Sequence, residues 1–163
     1  ARGGFVKDLH GQKNVYYQVN ATYYSALGEI DTKMLLARAL QLFMPGKPQV
    51  WYLDLFAGKN DYEAVKRAGA GGHKEINRSN LSVGQMEEKI KESVVKKQFE
   101  MLRFRTAFPA FAFDSNITVD SSGSMMNFVW KKNRYTATLS ADLANHTFSM
   151  KGIDPNGEEN VIV

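Results

Sequence analysis

Cysteine is absent from the 163 residues. That excludes a disulfide framework and any thiolate metal site, and it neither requires nor forbids secretion. Long hydrophobic runs are missing too. The two longest apolar stretches, residues 35–44 and 50–57, are too short and too interrupted to cross a bilayer. No charged-then-apolar leader opens the chain, so the expected setting is soluble and cytoplasmic, without a membrane partner. Histidine is scarce: His10, His73 and His146 lie far apart, outside any ligand spacing, so neither metal nor cofactor is expected. Charge of one sign is in weak excess, 21 Lys and Arg against 17 Asp and Glu. The basic clusters at residues 89–97 and 103–105 have Glu87, Glu88 and Glu92 interspersed at helical spacing. That is a solvated face, not a nucleic-acid stripe.

Aromatic residues, by contrast, are plentiful, with ten Phe, seven Tyr and two Trp. They call for a packed interior, a stacking surface, or both. With 44% hydrophobic and 23% charged residues the chain reads as globular, of one domain or one and a half. It opens on Ala1, not Met, so either a start is removed or the chain is a piece of something longer.

Residues 1–14 are polar and glycine-containing and read as a loop; residues 15–20 are β-prone and read as extended. Asp31 or Thr32 is the expected cap of a helix with Leu35, Leu36, Ala39, Leu40 and Phe43 on its apolar face. Pro45-Gly46-Lys47-Pro48 stops that helix. Residues 49–56 then form a nearly continuous apolar run, which predicts a strand buried on both faces, as in a parallel sheet. Asn60 is positioned to cap a short helix ending at Arg67, and residues 73–80 fall in a long connection. Ser82 and Gln85 have capping-box spacing ahead of a helix with Met86, Ile90, Val94, Phe99 and Leu102 on one face; Ser93 can split it, and Pro109 ends it. From Phe111 the period becomes two. Ile117 and Val119, then Met126, Phe128 and Trp130, then Tyr135, Ala137 and Leu139, then Phe148 and Met150 predict an antiparallel meander. Its turns are expected at residues 121–124, 132–133 and 154–157. A boundary near Pro109 gives two parts, 1–108 and 109–163. The first part is incomplete, because its buried strand has no convincing neighbour in the sequence.

Few motifs in the chain are complete. Gly69-Ala70-Gly71-Gly72 completes neither a Walker loop nor a dinucleotide fingerprint and reads as a flexible loop. No Gly-x-Ser-x-Gly elbow exists, and five Asn-x-Ser/Thr sequons (at Asn20, Asn77, Asn80, Asn116 and Asn145) read as chance. The polar cluster Lys59, Asn60, Asp61, His73, Lys74, Glu75, Asn77 and Arg78 follows the predicted strand, where α/β proteins place ligands. It reads either as a solvated loop or as a site.

Tyr17-Gln18-Val19-Asn20-Ala21-Thr22-Tyr23-Tyr24-Ser25-Ala26-Leu27-Gly28 closely resembles the late segment of the sucrose phosphorylases, sugar phosphorylases of the α-amylase superfamily, glycoside hydrolase family thirteen. The resemblance continues through Ala37-Arg38-Ala39, Pro45-Gly46-Lys47-Pro48-Gln49-Val50, Ala57-Gly58-Lys59-Asn60-Asp61, Glu75-Ile76-Asn77-Arg78 and Arg103-Phe104-Arg105. It implies an α/β fold, the last part of a (β/α)8 TIM barrel followed by a small antiparallel β domain. On that template residues 31–43 are the seventh barrel helix, 49–56 the eighth strand and 58–82 the eighth βα loop. An excised barrel end is expected to expose the apolar faces of residues 35–43 and 50–56.

The resemblance implies retaining glucosyl transfer from sucrose or a related α-glucoside to inorganic phosphate, giving α-glucose 1-phosphate, with no cofactor. The family's reactive carboxylates lie on earlier strands, so no catalytic residue is expected here, and Asp54, Asp61 and Glu75 are given no such role. The segment alone is expected to be inactive. What it implies for this chain is a substrate-binding rim of Tyr17, Gln18, His73, Lys74 and Arg78. Lys74 stands where sucrose phosphorylases carry an Arg, and Val15-Tyr16 where Asp-Leu is frequent. These departures leave sucrose phosphate and glucosylglycerate open as donors. The rival expectation is a stand-alone carbohydrate-binding or interaction module built on the meander.

Overall fold

The computed structural model describes residues 3–8 and 16–163, without the side chains of Asp8, Tyr16 and Tyr17; Val15, His10 and the expected loop over 9–14 lie outside the described residues. The elements run β1 (Phe5–Asp8), β2 (Tyr16–Asn20), α1 (Tyr23–Ala26), α2 (Asp31–Phe43), α3 (Tyr52–Leu55), α4 (Tyr62–Ala68), α5 (Val83–Lys89), α6 (Ser93–Ala107) and β3 to β7 (Asn116–Ser122, Met125–Lys132, Tyr135–Asp142, Thr147–Ile153, Glu159–Val161). Two 3-10 turns, Gly72–Asn77 and Pro109–Phe111, complete the order. The chain divides into two compact units, Ala1–Met34 with Val50–Val95, and Leu35–Gln49 with Lys96–Val163.

In the first unit β1 and β2 pair antiparallel, Val6 opposite Val19 and Lys7 opposite Gln18. Residues 5–8, expected as loop, are therefore a strand, because Phe5-Val6-Lys7 finds partners in Gln18-Val19-Asn20. The predicted strand at residues 49–56 is the larger correction. Trp51 is extended (φ −69°, ψ 133°), and the chain then closes one helical turn as α3, with Leu53 inside and Trp51 half exposed. A lone extended segment leaves backbone donors and acceptors unpaired. Among the described residues no strand lies beside this one, so coiling Tyr52–Leu55 satisfies carbonyls locally: Leu55 N–H donates to Trp51 O at 3.1 Å and Gly58 N–H to Leu53 O at 2.8 Å. Three capping expectations also shift or hold. Helix α2 contains Asp31 as its first residue, Asp61 and not Asn60 caps α4, and Ser82 with Gln85 forms the full capping box of α5. The helix expected after it is indeed split, α6 beginning at Ser93.

In the second unit the five strands β3 to β7 form a simple meander, as the alternation predicts for its first four; β7 lies outside that prediction, its Glu159-Asn160-Val161 being exposed and without an apolar alternation. Phe128, Leu139 and Met150 stand in register on one face, and Trp130 and Ala137 beside them; all five are buried. Such burial stabilises by about 1.5–3 kcal/mol per large side chain. The aromatic surplus sits here. Phe111 meets Phe43, Phe104 and Trp130 at 5.2, 5.4 and 5.4 Å between ring centres. Leu35, Leu36, Ala39 and Phe43 are buried, so the apolar face of α2, expected to be exposed, is covered. On α6 the buried positions are Val94, Val95, Gln98, Met101 and Phe104, while Phe99 and Leu102 are only half buried. The inward stripe is thus rotated from the predicted one to include Gln98, which accepts at 2.9 Å from buried Arg38.

Arg105 ties the loops of this unit together. Its Nε donates to Leu42 O at 2.7 Å, Nη1 to Phe111 O at 3.3 Å and Nη2 to Gly46 O at 3.0 Å. Its guanidinium lies 4.5 Å from the Phe111 ring centre and 4.9 Å from that of Trp130. Trp130 Nε1 donates to Phe43 O at 2.9 Å. Carbonyls at a helix C-terminus have no intrahelical donor and carry partial negative charge. A fixed cation and an indole N–H satisfy two of them here.

Candidate functional site

The polar cluster after α3 lies wholly in the first unit, and its members part into two groups. Lys59, Asn60 and Asp61 are consumed by the fold. Asn60 Oδ1 accepts from Thr22 N–H at 2.7 Å and its own N–H donates to Ser25 Oγ at 3.0 Å, fastening the loop to α1. Lys59 pairs with Glu29 at 2.6 Å, and Ser25 Oγ also donates to Glu29 at 2.9 Å. Lys59 and Ser25 hold the Glu29 carboxyl below its ordinary value. The Asp61 carboxylate accepts from Ala64 N–H at 2.8 Å and from Ser79 Oγ at 3.0 Å; the Ala64 bond, then that of Ser79, keep it below the ordinary carboxylate range. Asp54 accepts from Tyr23 N–H at 2.7 Å. These acids act as caps and clasps.

The approach to this loop is forced by Gly58. A Cβ there would lie 2.4 Å from Leu53 Cδ1 and 2.9 Å from the Leu53 carbonyl oxygen. That contact explains why the Ala57-Gly58-Lys59-Asn60-Asp61 string reads as a unit.

His73, Lys74 and Arg78 belong to the second group, on and just after the 3-10 turn Gly72–Asn77. Gly71 enters it at φ 86°, and a Cβ on Gly72 would meet Ala68 Cβ at 2.5 Å, so the turn is pressed on the end of α4. Ile76 is fully buried beneath it. Three hydrogen bonds fasten its far end: Asp61 N–H to Ile76 O at 2.8 Å, Trp51 Nε1 to Asn77 O at 3.2 Å and Asn77 Nδ2 to Ala21 O at 3.2 Å. Residues 73–77, expected as open connection, are therefore held. The glycine run is no phosphate cradle: Gly69 and Gly72 N–H are spent on Val65 O and Gly69 O.

Strand β2 packs beside this turn, so Gln18 and the His73-Lys74 pair share one region. Gln18 Oε1 and His73 Nε2 are each buried without a hydrogen-bond partner, which a native interior rarely leaves so. Lys74 is half buried; Arg78 is exposed and pairs with Glu75 at 3.3 Å. Tyr17 lies on β2, its side chain outside the described residues. Four of the five sequence-derived candidates thus have described side chains, Gln18 and His73 each with a buried unpartnered atom, Lys74 half buried and Arg78 in an ion pair. The sequence reading assigned no role to Trp51, whose indole holds the turn from below; a Trp closing an apolar run offers no signal of that. Among the described residues no His, Asp and Glu gather as a metal site, and no helix is long and apolar enough to cross a membrane. The first unit thus carries an amide oxygen, an imidazole nitrogen and an ammonium on β2 and the turn packed beside it.

No family model matches the sequence. Curated relatives do. A sucrose 6(F)-phosphate phosphorylase of Ilumatobacter coccineus is 52% identical over 152 residues, 91% of this chain and 29% of that protein. A sucrose phosphorylase of Bifidobacterium adolescentis is 42% identical over 123 residues, 76% of this chain and 24% of that protein. The crystal structure of sucrose 6F-phosphate phosphorylase from Thermoanaerobacter thermosaccharolyticum superposes with a TM-score of 0.89 at 36% identity, covering 98% of this chain and 32% of that one. The chain therefore spans under a third of the length of the proteins it matches, and it is their C-terminal portion that it matches.

Proposed function

This chain belongs with the sucrose phosphorylases, as a homologue of their C-terminal portion, and from that premise we propose that it serves as the acceptor-side rim of a retaining glucoside phosphorylase. In the whole enzyme a carboxylate on an earlier strand attacks the anomeric carbon. A carboxylic acid protonates the leaving oxygen as the glycosidic bond breaks, and an oxygen of inorganic phosphate then displaces the carboxylate to give α-glucose 1-phosphate. Residues 1–108 complete the (β/α)8 barrel and residues 109–163 form the β domain. There the extended stretch before α3 gains the neighbouring strands it lacks among the described residues, and residues 58–82 form the eighth βα loop.

The rim's chemistry follows from its residues. Gln18 Oε1, buried and unsatisfied, accepts a sugar hydroxyl. Tyr17 stacks on or donates to the acceptor. Lys74 supplies a point charge to the bound glucosyl where the family's Arg supplies a fork, and Arg78, braced by Glu75, borders it. The 163 residues alone turn nothing over. The donor is a phosphorylated disaccharide of the sucrose 6F-phosphate type, which the 52% identity to such an enzyme supports.

That identity over 152 residues carries the reading. The test is phosphate-dependent release of α-glucose 1-phosphate by the complete enzyme carrying this segment, offered sucrose, sucrose 6F-phosphate, glucosylglycerol and glucosylglycerate. Preference for the phosphorylated donor is expected. Release from none of the four overturns the assignment, and binding of a sugar without turnover moves the chain to the carbohydrate-binding reading. Lys74→Ala in that enzyme is expected to raise KM for the donor about tenfold, one hydrogen bond to a charged group; unchanged constants for every donor remove Lys74 from the rim.

A further inference from the structure

His73 lies outside the Glu75-Ile76-Asn77-Arg78 string that carries the resemblance, on the hydrogen-bonded turn Gly72–Asn77. Its Nε2 is buried and has no partner. A buried imidazole N left so costs about 1–3 kcal/mol, and native structures keep such a group for something that completes it. Nothing near in sequence is free to do so. Asp61 is engaged by Ala64 N–H and Ser79, and Glu75 by Arg78.

Nor can the ring easily turn away to find water. The turn is entered through a left-handed glycine, seated on α4 by Gly72, anchored by Ile76 and bolted at its end by Trp51 and Asn77. A fixed, desolvated hydrogen-bonding atom on a rigid frame is the form a binding contact takes. The charge beside it gives the ligand's sign. Glu75 is neutralised by Arg78, while among the described residues no carboxylate pairs with the adjacent Lys74. The local balance is therefore positive, and the group that accepts from both an imidazole N–H and an ammonium is an oxyanion.

We propose that His73 is a specificity-determining contact for a phosphoryl group, its Nε2–H donating to a phosphoryl oxygen beside the Lys74 ammonium. The proposal rests on the phosphorylase reading for its ligand, whose phosphoryl group comes either from inorganic phosphate or from the phosphate ester of the sugar.

Calorimetric titration of the complete enzyme with inorganic phosphate, fructose 6-phosphate and fructose separates these sources. His73→Phe, which keeps a ring and removes the donor, is expected to weaken one of the two phosphoryl ligands about tenfold, the scale of one charge-assisted hydrogen bond, with a smaller effect on fructose. His73→Asn, which restores a donor, recovers part of the loss. Undiminished affinity of His73→Phe for both phosphoryl ligands overturns the proposal, as does an equal loss for fructose. Should His73→Phe not fold, ¹⁵N-histidine spectra of the wild type decide: the Nε2 signal that His73→Asn removes must move when phosphate or fructose 6-phosphate is added, and immobility with both sinks the contact. The two readings fail separately. Release of α-glucose 1-phosphate with phosphoryl affinity indifferent to His73 leaves the function and removes the subsite. Phosphoryl binding that depends on His73 without any release does the reverse.

Discussion

At the scale of single residues, three positions in the first unit show how local chemistry fixes the loops around the polar cluster. Gly58→Ala places a methyl group against the Leu53 carbonyl oxygen, which cannot swing aside as a side chain does. Overpacking of this kind costs about 1–3 kcal/mol, so the melting temperature of Gly58→Ala should fall clearly below wild type. Asp61→Ala removes an N-cap and should cost about 1 kcal/mol by denaturant titration. The Asp61 carboxyl is held low in the folded chain. Its contribution is therefore complete above its unfolded value and is lost as pH falls through the folded one. Asp61→Asn should flatten that acid limb. Tyr24 works at the other end of the scale. Burial, then the 2.7 Å bond to Asp31, push its hydroxyl from 10.0 to about 12. Between those values the unfolded chain has lost a proton that the folded chain keeps, so this stabilisation is full below pH 10 and drains away as pH rises toward 12. Tyr24→Phe should show a shallower alkaline decline in denaturation midpoint; an identical decline removes Tyr24 as its source. Capping residues like these were half legible. Ser82 and Gln85 could be paired from spacing alone, but the choice between Asn60 and Asp61 turned on Asn60 being taken by Thr22, a contact 38 positions away that no local rule contains.

At the scale of elements, the Arg103-Phe104-Arg105 string shows the limit of motif reading. It carried the resemblance, yet its spacing says nothing of what Arg105 does, because all three of its carbonyl partners come from turns and helix ends elsewhere in the second unit. Arg105→Met, which keeps the stem and removes the fork, should cost about 3–5 kcal/mol by leaving the carbonyls unmet. Trp130→Phe keeps the ring packing and loses one bond, about 1–2 kcal/mol. A smaller loss for Arg105→Met than for Trp130→Phe would mean that the stacking, not the hydrogen bonds, holds these turns. The meander was legible because alternation is a property of each strand alone; the turns expected at 121–124, 132–133 and 154–157 overlap those found at 123–124, 133–134 and 155–156, while the turn at 143–146 was not expected. Strands β1 and residues 49–56 were misjudged for one reason in opposite directions. Pairing is non-local: a short polar stretch becomes a strand when a partner is present, and an apolar stretch does not when none is.

At the scale of the whole molecule, the proposed rim is named through resemblance alone. Nothing in composition singles out Gln18 or His73; their unsatisfied atoms emerge once β2 and the 3-10 turn are folded side by side. The same scale supplies a test of the barrel assignment that needs no substrate. The chain has two tryptophans, and they report opposite environments: Trp130 is 3% exposed and Trp51 is 51% exposed. If residues 49–56 join a barrel in the complete enzyme, Trp51 loses its solvent there while Trp130 changes little. Acrylamide quenching of the 163-residue chain should accordingly be dominated by Trp51, and Trp130→Phe should leave a single, readily quenched emitter. In the complete enzyme, the difference between wild type and Trp51→Phe isolates the same indole, and its quenching constant should drop several-fold, toward that of a buried residue. Trp51 as accessible in the complete enzyme as in the isolated chain would mean that no neighbouring strands or helices enclose this segment, and the rim would then have no barrel mouth to border.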